Sequence, residues 1–411
     1  MEPTPAIIAA QHLLRIGAIV LFIGSVTGMI ARRVDVPDVA LYLLAGVLLG
    51  PTVGQLVEVP ADSTLNQLIV LFGASYILFD GGASLRFGVL RRVWLTVALL
   101  ATFGVLITAL VTTVATYYLL GLPLAVAALL AATISSTDPA ILIPVFKQAK
   151  VRERVAQTLI SESAANDAVG AILTFAMLIV AIGSRELSVG HSLVVLGYEA
   201  AVGILVGAVA GYIASVLIAH ERFGFLQEYL PLVTLMVVAA AYLQAGVLNA
   251  SGFMAVFVAG VVLGNRDHFG LALGPAESHR LQEFILTTAL IMRMFIFILL
   301  GTQVNFALLD RYLWGAVGIV AALMLVARPL TVFLCALPDR RARWTLRELL
   351  FMCWTRETGV ISSALAGMLI GVGAPGANVI AAVTFMAVLV TILLQATTTR
   401  WLARKLELLE T

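Results

Sequence analysis

Charge is scarce in this chain. Asp, Glu, Lys and Arg together make up 12% of the 411 residues, about half the share of an average soluble domain, which excludes a solvated globular surface. Cysteine is scarcer still. Cys335 and Cys353 lie in or beside apolar runs without metal-type spacing, so both read as buried bystanders. No nucleotide-cradling loop, metal cluster or nucleophile triad is present, so neither enzymatic work nor a cofactor is expected, and no nucleic-acid partner is expected either. The strict alternation of a membrane β-barrel is missing too. Behind Met1-Glu-Pro-Thr-Pro5 there is neither a basic n-region nor a small-residue cleavage site, so the first apolar run is expected to stay as a helix.

What the chain has in excess is apolar sequence, at 61% hydrophobic residues and a mean hydropathy of +1.05. Apolar runs of about twenty residues recur along nearly its whole length, and helices satisfy their own backbone groups in lipid. The expected fold is an all-α polytopic membrane protein, one domain over 1–411, in contact with membrane lipid. Thirteen spans fit, at roughly 13–31, 38–56, 66–82, 93–120, 124–146, 153–182, 191–219, 229–246, 250–264, 283–302, 312–337, 347–371 and 376–400. The basic residues test that count. Arg32 and Arg33, Arg86, Arg91 and Arg92, the cluster from Lys147 to Arg154, Arg222, Arg266 and Arg280, the cluster from Arg340 to Arg347, and Arg400 to Lys405 all follow odd-numbered spans. Even-numbered exits hold only Arg185 and Arg311. With Arg15, 3 of the 25 basic residues fall on that side and 19 on the other. The positive-inside rule then places the N-terminus outside the cell membrane and the C-terminus in the cytoplasm.

Two spans are interrupted by polar sequence. The fifth contains Ala131-Ala-Thr-Ile-Ser-Ser-Thr-Asp-Pro-Ala140, where Pro139 removes a hydrogen bond and crowds the preceding turn. The twelfth carries Arg356, Glu357, Gly359, Gly367 and Gly371. They are seven spans apart, so they cross the membrane in opposite directions, as an inverted-topology repeat with two broken helices requires. The second span, with Gly46-Val-Leu-Leu-Gly-Pro-Thr-Val-Gly54, reads as a close-packing helix ending at a Gly-Pro turn. Between spans nine and ten, 268–279 reads as an interfacial connector. A surface loop is favoured there over a pH-sensing role for Glu277, His279 and Glu283.

The stretch Leu159-Ile-Ser-Glu-Ser-Ala-Ala-Asn-Asp-Ala-Val-Gly170 holds the densest intramembrane polarity. An ionised Asp at a bilayer midplane costs about 2.5–3.5 kcal/mol, which makes such a residue a functional candidate. Helical spacing gives two stripes, Glu162 with Asn166 and Ser163 with Asp167. Asp167 and Ser163 are half of an oxygen shell for a hard monovalent cation, to be completed near Thr137 and Asp138. Asn166 has donors and an acceptor for backbone groups freed by the break. Glu162 needs a cation, and Arg328 is the expected partner, as a purely architectural pair or as part of the mechanism. Asp138 reads either as a cap or as a ligand. Asp80 sits near the inner end of its span, and Arg293 pairs with an interior carboxylate or snorkels.

At Thr137-Asp-Pro139, Glu162-Ser-Ala-Ala-Asn-Asp167, Ala327-Arg-Pro-Leu330, Phe79-Asp-Gly-Gly82 and Phe295-Ile-Phe-Ile-Leu-Leu-Gly301 the chain resembles the cation:proton antiporter superfamily, in its NhaP/NHE-like branch. The resemblance covers essentially the whole sequence. It implies a homodimer with a moving core, here about 66–182 and 283–400, the other helices serving as interface and scaffold. It implies that Asp167 carries proton or cation with Asn166 beside it, that Thr137, Asp138 and Ser163 supply cation oxygens, that Asp80 acts at longer range, and that Glu162 pairs with Arg328. A cytoplasmic regulatory domain beyond Thr411 stays open. One departure stands out. Where the family reads close to Trp-x-Gly-Leu-Arg-Gly-Ala, this chain reads Trp354-Thr-Arg-Glu-Thr-Gly-Val360. A two-residue shift is about 200° on a helix, so Arg356 inherits the arginine's role only if the backbone is unwound, and Glu357 is expected as its local partner. The implied activity is exchange of Na⁺, K⁺ or Li⁺ for a proton by alternating access, for cation and pH homeostasis. With Asn166 in place of a second carboxylate, that exchange is expected to be electroneutral. The alternatives are a proton-gated cation channel or sensor, and a symporter of the same fold.

Overall fold

The computed structural model describes residues 5–34, 36–51, 53–138, 146, 151–183, 189–219 and 224–409. Among these residues the architecture is helical, with a lone bridge between Val151 and Leu409. The helices are α1 (Pro5–Val34), α2 (Asp38–Leu49), α3 (Thr64–Ser84), α4 (Phe87–Ala101), α5 (Phe103–Leu120), α6 (Leu124–Thr133), α7 (Glu153–Ala181), α8 (Val189–Ala219) and α9 (Leu230–Val247). They continue as α10 (Gly252–Gly264), α11 (Pro275–Thr302), α12 (Phe306–Ala322), α13 (Arg328–Ala336), α14 (Leu346–Trp354), α15 (Val360–Gly371), α16 (Ala377–Thr391) and α17 (Thr397–Lys405). A π-helical segment, Leu323–Ala327, joins α12 to α13, and another, Ile392–Ala396, joins α16 to α17. Among the described residues nine runs are long and apolar enough to cross a membrane, and four shorter apolar helices, α2, α6, α10 and α15, fall between them. In chain order these correspond one to one with the thirteen expected spans.

The repeat is visible in how the spans pack. Gly82 of α3 lies against the Phe257 carbonyl of α10, and Gly260 of α10 lies against the Phe79 carbonyl of α3. A Cβ at either position would strike backbone. The same reciprocal contact joins α2 to α11, with Gly46 against the Ile298 carbonyl and Gly301 against that of Leu43. An offset of seven spans carries the third onto the tenth and the second onto the ninth, so one glycine-to-backbone crossing occurs twice. Close approach of this kind replaces the hydrophobic driving force that lipid does not supply. It also explains two sequence landmarks, since Phe79 to Gly82 and Phe295 to Gly301 are the crossing points themselves.

Several boundaries differ from the sequence expectation. The second span stops at Leu49, seven residues early, because Leu56 and Val57 turn back to donate to the Leu49 carbonyl. Helix α4 starts at Phe87, which puts Arg91 and Arg92 on a helix instead of in a loop. The fourth span is broken at Thr102, whose hydroxyl competes for the Ala98 carbonyl at 2.6 Å. The connector expected over 268–279 resolves into a 3₁₀ turn at Arg266–Phe269 and the first turn of α11, where Pro275 has no N–H to leave unsatisfied. There His279 pairs with Glu283 at 3.4 Å on an exposed face.

Candidate ion-binding site

Helix α7 buries Glu162, Ser163, Asn166 and Asp167 along one length of helix, with Asp167 only 6% exposed. Small residues between and beyond them, Ala164, Ala168, Gly170 and Ala171, keep the helix slim enough for an irregular segment to lie against it. A Cβ on Gly170 would come within 3.1 Å of the Ser136 side chain.

That segment is the break in the fifth span. Helix α6 ends at Thr133 and the chain continues without helical structure from Ile134 to Asp138; Pro139 and the residues after it lie outside the described residues. Asn166 holds the exposed backbone: its Oδ1 accepts from the Thr137 N–H at 3.1 Å and its Nδ2 donates to Thr137 Oγ1 at 2.8 Å. The Thr137 and Ser163 hydroxyls lie 2.5 Å apart. Ser136 lies beside the Asp167 carboxyl, and its hydroxyl faces that of Ser362 on α15 at 3.4 Å.

The second break crosses the first. Helix α14 ends at Trp354, Thr355 to Gly359 are unwound, and α15 begins at Val360. Broken helices leave N–H and C=O groups without partners in the membrane, with partial positive charge at N-termini and negative charge at C-termini. Each described end is matched by a side chain of suitable sign or polarity. At the C-terminal end of α6, Arg356 Nη2 donates to the carbonyls of Ser135 at 2.6 Å and Ile134 at 3.2 Å. Asp138 Oδ2 accepts the first N–H of α15, from Val360, at 2.9 Å, while the Asp138 N–H donates to the Glu357 carbonyl at 2.9 Å. The C-terminal end of α14 receives Arg328 Nε at the Met352 carbonyl (2.9 Å) and Gln395 Nε2 at the Trp354 carbonyl (2.6 Å). Thr391 Oγ1 accepts from the Thr358 N–H at 3.1 Å.

The structure therefore brings Thr137, Asp138, Ser163, Asn166 and Asp167 to one place. Beside it, Arg328 grips Glu162 with both terminal nitrogens, Nη1 on Oε1 and Nη2 on Oε2 at 3.0 Å. Asp80 stands apart, 3.9 Å from Arg293, on a polar cavity of about 160 Å³ that Ser84, Arg86 and Gln282 also line. Arg356 lies in unwound backbone, the one condition under which the two-residue shift leaves it able to reach the other break. The expected local pairing of Glu357 with Arg356 does not occur. The guanidinium is turned to the Ile134 and Ser135 carbonyls, and the Glu357 carboxyl has no hydrogen-bond partner among the described residues. Sequence patterning misses Ser136, although it adjoins Thr137 in the interrupted fifth span, and Gln395, whose amide in an apolar helix is a readable signal.

Chemically, the cluster is an oxygen cage. Two hydroxyls, those of Thr137 and Ser163, and two carboxyls, those of Asp138 and Asp167, are buried together near the break that Asn166 holds, oxygen donors of the kind a hard monovalent cation prefers. Among the described residues no arginine or lysine pairs with Asp167, so a cation or a proton is left to neutralise it.

Known proteins share this architecture. The Na(+)/H(+) antiporter 1 of Methanocaldococcus jannaschii is 31% identical over 361 residues, 84% of this chain and 80% of that protein. The K(+)/H(+) antiporter NhaP2 of Shewanella oneidensis is 28% identical over 95% of this chain, which spans 66% of its length. The solved structure of the sodium proton antiporter MjNhaP1 from M. jannaschii at pH 8 superposes with a TM-score of 0.82 at 28% identity, covering 96% of this chain and 99% of that one. The family described as "Sodium/hydrogen exchanger, transmembrane" matches residues 18–405, nearly the whole sequence, and the chain belongs to that family.

Proposed function

We propose that this chain exchanges a monovalent cation, Na⁺, K⁺ or Li⁺, for a proton at Asp167, by alternating access of one buried site to the two sides of the cell membrane. The observation that carries this reading is the distribution of counter-charges. Among the described residues Glu162 has Arg328, Asp80 has Arg293 and Asp138 has the end of α15, whereas no arginine or lysine pairs with Asp167. A carboxylate in that position is neutralised either by a cation sharing its oxygens with Thr137, Ser163 and Asp138, or by a proton. The two compete for the same atoms, and competition at one site is what couples opposite fluxes. Asn166 holds the break without titrating, so each cycle moves one cation against one proton and no net charge.

Glu162 and Arg328 hold the crossing together without entering the exchange. The core that moves is about residues 66–182 and 283–400, against the remaining helices, which carry the contact between two copies in a homodimer. The relatives include both Na⁺/H⁺ and K⁺/H⁺ antiporters, and the cation accepted here follows from the size of the Thr137–Ser163–Asp167 cage. The N-terminus faces outward and the basic loops face the cytoplasm, as the distribution of arginine and lysine requires. In proteoliposomes carrying a pH-sensitive dye, adding Na⁺, K⁺ or Li⁺ to the wild-type protein dissipates an imposed proton gradient without building a membrane potential. Asp167→Asn abolishes that response; cation-dependent proton flux at a substantial fraction of the wild-type rate removes Asp167 from the role.

A further inference from the structure

The two glycine crossings are counterparts in the repeat, and they differ just past the glycines. Gly46 and Gly50 of α2 stand where Gly260 and Gly264 of α10 stand, and Gly264 abuts the backbone of Ala83 as Gly50 abuts that of Thr302. The next residue is Asn265 after α10 and Pro51 after α2. Asn265 is buried and uses its whole amide. Its Oδ1 accepts the Phe87 N–H, the first of α4, at 3.0 Å, and its Nδ2 donates to the carbonyls of Leu85 at 2.8 Å and Val261 at 2.9 Å. Arg86 Nη1 adds a bond to the Gly264 carbonyl at 2.8 Å. Arg86 precedes α4 without capping it, so α10 caps α4 from across the crossing. At the counterpart, Pro51 has no amide to offer, Asn305 caps its own helix α12 at the Leu308 N–H (3.1 Å), and the end of α2 folds back on itself. Among the described residues no hydrogen bond joins 46–57 to 302–306. An open pocket of about 640 Å³ borders Pro51, Thr302, Val304 and Asn305, whereas the cavity beside Ser84, Arg86 and Gly264 holds about 160 Å³.

We propose that Asn265 is a positioning residue for the exchange: it fastens α10 to the turn between α3 and α4, which makes the α3–α10 crossing the fixed pivot of the core, and the unfastened α2–α11 crossing is where core and scaffold slide. The proposal rests on the division into a core of about 66–182 and 283–400 and a scaffold of the remaining helices. Each crossing joins one helix of the core to one of the scaffold. Glycine against backbone packs closely without directional bonds, the kind of contact across which helices shift in small steps. Three side-chain hydrogen bonds across one crossing, to Leu85, Phe87 and Gly264, make that one the costlier to disturb. Motion is left to the other, where the larger pocket gives it room. The pivot also lies close to the site it serves, since a Cβ on Gly81 of α3 would meet Ala164 of α7 at 3.4 Å. A fastened α3 therefore gives the helix that carries Asp167 a fixed wall to turn against.

The test pins each crossing in turn. In a parent protein with Cys335→Ala and Cys353→Ala, exchange is followed in dye-loaded liposomes. Asn265→Ala is expected to lower it about tenfold, the effect of removing one buried amide's hydrogen bonds. Leu85→Cys with Asn265→Cys shows the same defect while reduced, and joining the two thiols with a short bifunctional reagent restores exchange, because the link replaces the amide. Pro51→Cys with Val304→Cys exchanges like the parent while reduced and stops when joined. A joined Leu85–Asn265 pair that stops exchange overturns the proposal, as does a joined Pro51–Val304 pair that leaves exchange running. A parent without exchange counts against the Asp167 reading alone, and amide hydrogen–deuterium exchange, which needs no flux, then decides the pivot. It also decides where a cysteine pair fails to fold. Between wild-type protein without cation and with saturating Na⁺, protection is expected to change over 302–306 and to hold over 83–87. Changes over 83–87 as large as those over 302–306, or none over 302–306, overturn the pivot.

Discussion

The two broken spans do the same mechanical work with opposite chemistry. At Ile134 to Asp138 the break carries short neutral side chains and one carboxyl, Asp138; Asn166 holds its backbone at the Thr137 N–H, and the Ser163 hydroxyl meets that of Thr137. At Thr355 to Gly359 it carries Arg356 and Glu357 and is held from outside by Arg328, Gln395 and Thr391. Each break also sends one charge to the other: Asp138 to the N–H end of α15 and Arg356 to the carbonyl end of α6. The first break is rich in side-chain oxygens, while the second commits Arg356 to the carbonyls of the first and leaves the Glu357 carboxyl without a hydrogen-bond partner among the described residues. The contrast shows that ionisable residues in a membrane divide by whether a protein group already neutralises them.

The sharpest test of that division is the loss of exchange in Asp167→Asn, expected to reduce cation-dependent proton flux by two orders of magnitude or more, as removal of the group that carries both substrates should. The folded protein is expected to survive, because Asn can still meet Ser136. A large fall in thermal stability in this variant would break the comparison, since it would make Asp167 a structural residue.

Next in size is the Glu162–Arg328 pair. Replacing one partner, as in Glu162→Gln, leaves a buried charge unmatched and is expected to cost about 3–5 kcal/mol, whereas replacing both with apolar or neutral groups of similar volume is expected to cost far less. Arg328 also donates to Met352 and Thr355, so some loss persists in the double variant. Melting temperatures of the two single variants and the double variant, measured in one detergent, give the coupling directly. Additive losses would remove the pair from its architectural role.

Much of this arrangement is legible in the amino-acid sequence. The thirteen spans follow from apolar run length and the alternation of basic exits, and the seven-span offset follows from Pro139 and the glycines after Glu357. The hydrogen-bonding inventory of Asn166 assigns it to freed backbone, and the fold places it on Thr137. What stays hidden has a common physical cause. Which carbonyl Arg356 meets depends on unwinding over five residues, and helix periodicity has no means of registering unwinding. Gln395 and Ser136 act through contacts with residues far away in the chain or across a break, where spacing along one helix says nothing. The glycine crossings are readable as small residues, yet their pairing of the third span with the ninth and the second with the tenth emerges only from the fold.

The helix-end charges supply a smaller effect. Arg356→Met removes two hydrogen bonds to the Ile134 and Ser135 carbonyls, just past the end of α6, and leaves those acceptors buried, with an expected loss of about 1–3 kcal/mol. Exchange falls with it, because the α6 end carries Ser136 and Thr137. Arg356→Lys is expected to recover little, since one ammonium does not reproduce the planar fork. Stability equal to wild type in Arg356→Met would detach the second break from the first.

The smallest effect on stability is expected at Asp138→Asn, and it separates capping from ligation. Asn accepts the Val360 N–H through its own oxygen and is as good a cap as Asp in most helices, so stability should change by about 1 kcal/mol or less. The cation loses a charged oxygen, because the amide presents only one acceptor where the carboxylate presents two. Apparent cation affinity in the dye assay should therefore weaken by about tenfold, equivalent to about 1.4 kcal/mol, while maximal exchange at saturating cation changes less. If affinity holds and the melting temperature falls, Asp138 is a cap and nothing more, and the first break contributes only Thr137 to the cage. If affinity weakens at unchanged stability, one side chain performs both tasks. The mutual capping of the broken helices then passes through an atom group that the transported ion also uses, so binding an ion at the first break is felt at the start of α15.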